Sequence, residues 1–177
     1  MTQIARHVAA ALAALALTTM VAGCSSEQTA VADTPDVAAP TAAPLPASDF
    51  VEEEWHSFAT PSKRIQCRAV DRSFACQTED AHTVATSDLC GFYPGIEQGR
   101  AVRFGFFNDR PEPCATIVQG DGFHSPHTLG YGQSVAFQLP TGRTVTCASA
   151  VEGLTCTQVG GPGGKGFFLS ADSFTLL

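Results

Sequence analysis

Two cysteine pairs with one spacing, Cys67-x8-Cys76 and Cys147-x8-Cys156, constrain this chain more than any other feature. The chain holds seven cysteines. Setting Cys24 aside leaves Cys67, Cys76, Cys90, Cys114, Cys147 and Cys156, an even set of the kind that exported domains join as disulfides. Six cysteines allow many connectivities in principle, but the two equal spacings fall in segments that read as hairpins. That pairs Cys67 with Cys76 and Cys147 with Cys156, and leaves Cys90 for Cys114. The rival reading is a metal site, yet no pair is spaced C-x2-C and no histidine stands at zinc-ligand spacing from these cysteines.

Cys24 has a different setting. Met1 to Arg6 carries one basic residue and no acid, and the apolar run from Val8 leads to Gly23. These features describe a secretory signal with a short hydrophobic region. The 16 residues from Val8 to Gly23 fall short of the roughly 20 that a spanning helix needs. Val21-Ala22-Gly23-Cys24 resembles the lipobox of bacterial lipoproteins, in which the signal is cut before the cysteine and the thiol receives a diacylglyceryl group. That resemblance implies a signal peptide over 1–23, a lipid on Cys24, and a mature protein held at the extracytoplasmic face of the cell membrane. Two or three acyl chains anchor stably where one does not.

The segment Ser25 to Asp49 has four prolines, seven alanines and four acids, with no lysine, arginine or aromatic residue. Such a segment buries too little apolar surface to offset its conformational entropy, so residues 24–49 are expected to be a lipidated, disordered tether. All 15 aromatic residues fall in 50–177, which is expected to be one globular unit with one core. In that unit nine basic and 13 acidic side chains give a net charge of −4. Nothing in this balance suggests nucleic acid or a polybasic contact with lipid headgroups, so membrane attachment rests on the lipid.

Period-two patterning begins at Ile65, where Ile65, Cys67 and Ala69 alternate with Gln66 and Arg68, and continues through Phe74-Cys76 and Val102-Phe106. Further strands are predicted over 116–119, 134–139, 144–149, 154–159, 167–170 and 174–176, separated by Gly, Pro, Asp and Asn. No long amphipathic helix is evident after Phe50, so the fold expected is all-β, a small disulfide-stapled sandwich or barrel. Pairing Cys67 with Cys76 puts Asp71-Arg72 at a hairpin tip and Ile65, Cys67, Phe74 and Cys76 on one face. The second hairpin likewise gathers Val145, Cys147, Leu154 and Cys156, with Gly153 free to take a positive φ at its turn. The likeness extends outward: Phe58-x2-Pro61-x2-Arg64-x2-Cys67 matches Phe137-x2-Pro140-x2-Arg143-x3-Cys147 with one inserted residue. This degenerate repeat predicts two pseudo-symmetric halves.

Phe58-Ala59-Thr60-Pro61-Ser62-Lys63-Arg64-Ile65-Gln66-Cys67 also resembles the F-x-x-P-S-G-N-I-x-C pattern of a group of small secreted and lipid-anchored actinobacterial domains of unknown function. The resemblance continues through Cys76, Cys90, Cys114, Tyr131-Gly132, Cys147, Gly153-Leu154-Thr155-Cys156 and Gly164-Lys165-Gly166-Phe167. Lys63-Arg64 stands where the pattern has Gly-Asn, and Leu129-Gly130 where it has Leu-Pro. The resemblance implies an exported lipoprotein with a β-fold and brings no known activity.

Candidate chemistry is sparse. Gly160 to Gly166 is glycine-rich, but G-x-x-x-x-G-K-[ST] fails because position 159 is Val and position 166 is Gly. No cofactor is implied. Asp121, His124 and His127 place a carboxylate and two imidazoles within one short segment, the best local constellation for a metal or a hydrolytic site. Pro126 between the histidines argues for a loop and against the fixed helical face of H-E-x-x-H. There is no G-x-S-x-G elbow, and pairing leaves no thiolate to attack. Glycan hydrolysis needs two carboxylates about 5 to 9.5 Å apart, which sequence alone cannot establish for Asp71, Asp109 or Asp121. Phe92-Tyr93, Phe106-Phe107 and Phe167-Phe168 each send neighbouring aromatic rings to opposite faces of a strand, so one ring of a pair is either free for a partner or, the commoner outcome in a two-layer β-domain, packed in the core. The expected function is a non-catalytic, lipid-anchored domain that binds an envelope protein or glycan. The alternatives are an envelope enzyme using Asp121, His124 and His127, and a purely structural envelope protein.

Overall fold

The computed structural model describes residues 42–91, 98–108, 110–116, 121–160 and 165–177. Cys24, Asp109 and the Phe92-Tyr93 pair lie outside these residues. Among them are eleven strands: β1 (Val51–Glu52), β2 (Trp55–Ala59), β3 (Ile65–Val70), β4 (Ser73–Ala85), β5 (Gln98–Phe106), β6 (Cys114–Thr116), β7 (Ser134–Gln138), β8 (Thr144–Ser149), β9 (Leu154–Val159), β10 (Lys165–Leu169) and β11 (Phe174–Leu176). No helix among the described residues is long and apolar enough to cross a membrane.

The expected all-β fold is present as two antiparallel sheets, one of order β1-β2-β3-β4-β5-β6 and one of order β11-β10-β9-β8-β7. Burial alternates along β3 and β8 as the period-two pattern requires, so each sheet has one apolar face. These faces meet in a single core, with Phe58 and Phe74 of the first sheet stacked on Phe137 of the second at 6.0 and 5.9 Å between ring centroids. Phe106 meets Phe167 at 5.7 Å and Phe104 meets Phe174 at 4.7 Å. The architecture is therefore a sandwich.

Both hairpin disulfides point into this core. Cys67 lies directly opposite Cys76 and Cys147 opposite Cys156, with Cα separations of 4.0 and 4.1 Å, and all four residues are fully buried. Cys90–Cys114 is the third bridge. It ties the segment leading from β4 to the start of edge strand β6, where Cys90 N–H also bonds the Ala115 carbonyl at 3.0 Å.

The predicted repeat has a geometric counterpart. β2-β3-β4-β5 and β7-β8-β9-β10 are both meanders, and in each the second cysteine of the hairpin faces a phenylalanine on the following strand, Cys76 opposite Phe104 and Cys156 opposite Phe167. The opening turns match as well. Lys63 N–H bonds the Thr60 carbonyl across Pro61-Ser62, and Gly142 N–H bonds the Leu139 carbonyl across Pro140-Thr141. Lys63 has φ 61° and Gly142 φ 78°. The chain thus places a lysine in the left-handed conformation that its own second half assigns to glycine.

Two expectations are corrected. The folded region starts before Phe50: Leu45 N–H bonds the Ser134 carbonyl at 2.7 Å, Leu45 and Ala47 pack on the core, and a 3₁₀ turn spans Ala47–Phe50. The tether therefore does not run to Asp49. Pro44 and Pro46 hold Leu45 extended, and prolines without N–H groups limit the pairing with β7 to one bridge. The strand around Phe74-Cys76 is also far longer than its pattern, because a bulge between Gln77 and His82 breaks the alternation before pairing with β5 resumes.

A non-glycine residue in the left-handed region is disfavoured by about 1–2 kcal/mol. Lys63→Gly is therefore expected to raise the thermal midpoint and Gly142→Lys to lower it, with opposite changes in unfolding free energy of about 1 kcal/mol measured by urea denaturation.

Candidate functional site

The segment linking the two sheets crosses the outer face of the first sheet as a strap. At its start, Arg103 of β5 donates from Nη2 to the Asp121 carbonyl. Gln77 of β4 then accepts from Phe123 N–H at 3.3 Å, and Gln66 of β3 accepts from Ser125 N–H at 3.1 Å. Ser57 of β2 lies 2.8 Å from the Ser125 hydroxyl and also donates to Glu52. Ala59 N–H bonds the His127 carbonyl, Leu129 N–H bonds the Ala59 carbonyl, and Leu129 enters the core fully buried. The glutamines and Ser57 occupy the outward positions of the period-two pattern, which is why the strap finds polar partners on each strand it crosses.

Side chains stack beneath the strap. The Arg68 guanidinium carbon lies 4.5 Å from the Trp55 ring centre and 5.0 Å from that of Phe123, and the Arg103 guanidinium lies 4.4 Å from Phe123. Arg103 Nε also donates to Gln77 Oε1 at 3.1 Å. Burial first, and then the nearby Arg68 charge, pull the Arg103 guanidinium below its ordinary range, while Asp121 acts the other way.

The predicted constellation is not drawn together here. Asp121 is exposed and engages Arg103 through its backbone; His124 is exposed. His127 is turned away, its Nε2 3.0 Å from the Val51 carbonyl and its ring edge-on to Phe50. A carbonyl only accepts, so this nitrogen carries the proton. Among the described residues no group of three His, Cys, Asp or Glu side chains could hold a metal ion, and no serine hydroxyl bonds an imidazole. Asp71 stands at the β3–β4 turn, away from the strap in sequence and element. Of the aromatic pairs, Phe106 and Phe167 are buried while Phe107 and Phe168 are half-buried.

A concave feature of about 290 Å³ opens where the β2–β3, β8–β9 and β10–β11 turns converge. Thr60, Arg64, Tyr131, Val151, Glu152 and Asp172 contribute to its wall. Tyr131 is 44% exposed and Val151 74% exposed. Arg64 is held 3.3 Å from Asp80 and 4.0 Å from Asp172; both pairs are exposed and therefore worth little to stability. From behind, buried His82 donates from Nε2 to the Ala171 carbonyl at 3.0 Å and packs on Phe104 at 5.1 Å. The cleft thus offers hydroxyls, both signs of charge and an aromatic ring, but no nucleophile–base pair.

Among known protein families, curated proteins and solved structures, none matches this chain.

The alternation around Arg68 and Arg103 was enough to place both side chains on the outward face. Their meeting with Phe123 was not legible, because it depends on where a loop distant in sequence lands. Removing the Phe123 ring takes away two cation–π contacts, each worth about 0.5–1 kcal/mol, together with the ring's own burial. Phe123→Ala is expected to destabilise the protein by about 2 kcal/mol and to shift Trp55 emission to the red, read by urea unfolding and by fluorescence.

Proposed function

We propose that this protein is a lipid-anchored, exported cell-envelope protein whose β-domain binds an envelope glycan or protein and carries out no covalent chemistry. The observation that carries the anchoring is a matter of elimination. All six cysteines of the domain are paired, which leaves Cys24, directly after Val21-Ala22-Gly23, as the one cysteine with no disulfide role. The resemblance to secreted and lipid-anchored actinobacterial domains supports the same reading.

Binding is supported by the cleft. Three turns from two sheets converge on one concavity, and the Cys147–Cys156 bridge ties the two strands that carry one of them. An exposed tyrosine at its wall supplies a flat apolar surface with a hydrogen-bonding tip, and the surrounding hydroxyls and charges suit a hydroxyl-rich or peptide ligand. Its volume is at the small end of ligand sites, in keeping with a single sugar unit or one or two side chains of a partner.

Cys24→Ala is expected to abolish acylation and release the protein from the membrane fraction, checked by intact mass and fractionation. Continued acylation of that variant would remove Cys24 as the site. Tyr131→Ala is expected to weaken retention on isolated cell envelopes at least fivefold with the thermal midpoint unchanged, since the side chain is exposed. Retention unchanged by that substitution would move the binding surface elsewhere.

A further inference from the structure

Arg68 is unusually placed for a cation on an acidic domain. Its guanidinium carbon lies over two rings, at 4.5 Å from Trp55 and 5.0 Å from Phe123, and its N–H groups are left to hydrogen-bond elsewhere. Among the described residues they meet no carboxylate and no carbonyl. Arg64 and Lys165, by contrast, each form ion pairs with acids. Arg68 Nε–H and Trp55 Nε1–H are both buried donors without an acceptor, whereas the two terminal nitrogens of Arg68 are not sealed from solvent. The Arg103 guanidinium shares the Phe123 ring with Arg68 and feels its charge. Two cations are therefore held close together: the nearby Glu52 carboxylate is engaged by the Ser57 hydroxyl opposite Arg68, Asp121 acts on Arg103, and neither acid forms an ion pair with Arg68.

A guanidinium held between two rings has little freedom to swing away, and its planar fork matches two oxygens of a carboxylate or phosphate. The geometry points to an oxyanion-binding site on the outer face of the first sheet, with the Arg68 fork as its centre, Arg103 adding positive potential, and Trp55 and Phe123 as its aromatic walls. The ligand class is an oxyanion, carboxylate or phosphate, carried by an envelope molecule. The site is separate from the cleft, sharing none of its residues, and stands whether or not the cleft binds a ligand.

Trp55 is the only tryptophan of the chain, so emission excited selectively at the indole, beyond the tyrosine absorption, reports on this stack. The full chain is titrated with glucuronate in one arm and glycerol phosphate in the other, at ionic strength held constant with chloride. A saturable change in Trp55 emission is expected in at least one arm, and the responding arm tells carboxylate from phosphate. Arg68→Gln is expected to weaken that response at least tenfold. Arg68→Lys keeps the charge but loses the fork, and is expected to weaken it at least threefold. Should Arg68→Gln loosen the strap, seen as a lowered thermal midpoint, the lysine variant decides. No saturable response in either arm, or equal affinity in the native chain and Arg68→Lys, overturns the proposal, since a purely structural stack would give those results.

Discussion

The fold depends on two buried cystines, each with a phenylalanine opposite it on the next strand. Each disulfide joins two neighbouring strands at directly opposed positions and projects inward, and the next strand sets a phenylalanine beside it, Phe104 in one sheet and Phe167 in the other. Cross-strand linkage removes freedom from the unfolded chain, by about 2–3 kcal/mol for so short a loop, and it also settles register. A slip of one residue would turn the cysteines, and every apolar side chain in phase with them, toward solvent. With register held, Phe58, Phe74 and Phe137 can stack between the sheets, and each such ring contributes about 2–3 kcal/mol through burial.

The candidate surfaces follow from that rigidity. The cleft lies where the β2–β3, β8–β9 and β10–β11 turns meet, and the disulfide across β8 and β9 fixes the strands of one of them. On the outer face of the first sheet, the strap can lie flat because the outward residues beneath it are glutamines, serine and arginines that meet its backbone and Phe123. Positioning by fixed strands and polar side chains gives the strap a definite course without any helix. The structure therefore presents two surfaces of different chemistry, one of mixed charge at the end of the sandwich and one of cation and ring on its face.

Sequence was informative where a signal is local. Strand alternation, equal cysteine spacings and the Pro-x-x-Arg turns depend on residues within a few positions of one another, and the strands from β7 to β9 appear nearly at their predicted bounds. β1 and β2 carry no period-two signal, since Glu52-Glu53-Glu54 is a run of like charges, whereas in the fold Glu52 is drawn in by the Ser57 hydroxyl. Asp121, His124 and His127 are close in the chain but turn apart in space, because an extended strap sends successive side chains to different sides. Trp55, Arg68 and Phe123 show the reverse, remote in the chain and stacked in the fold.

By itself the sequence determined the all-β class, the three disulfides and the inward faces of both hairpins, since each follows from spacing and from the two-residue period of a strand. It also carries the case for Cys24 as an anchor, which rests on contiguous residues. Only the tertiary structure decided that the sheets form a sandwich, that Leu45 belongs to the fold, and that the strap brings Phe123 to Arg68 and Arg103. Those outcomes depend on long-range packing between surfaces, and no local period encodes which loop covers which face.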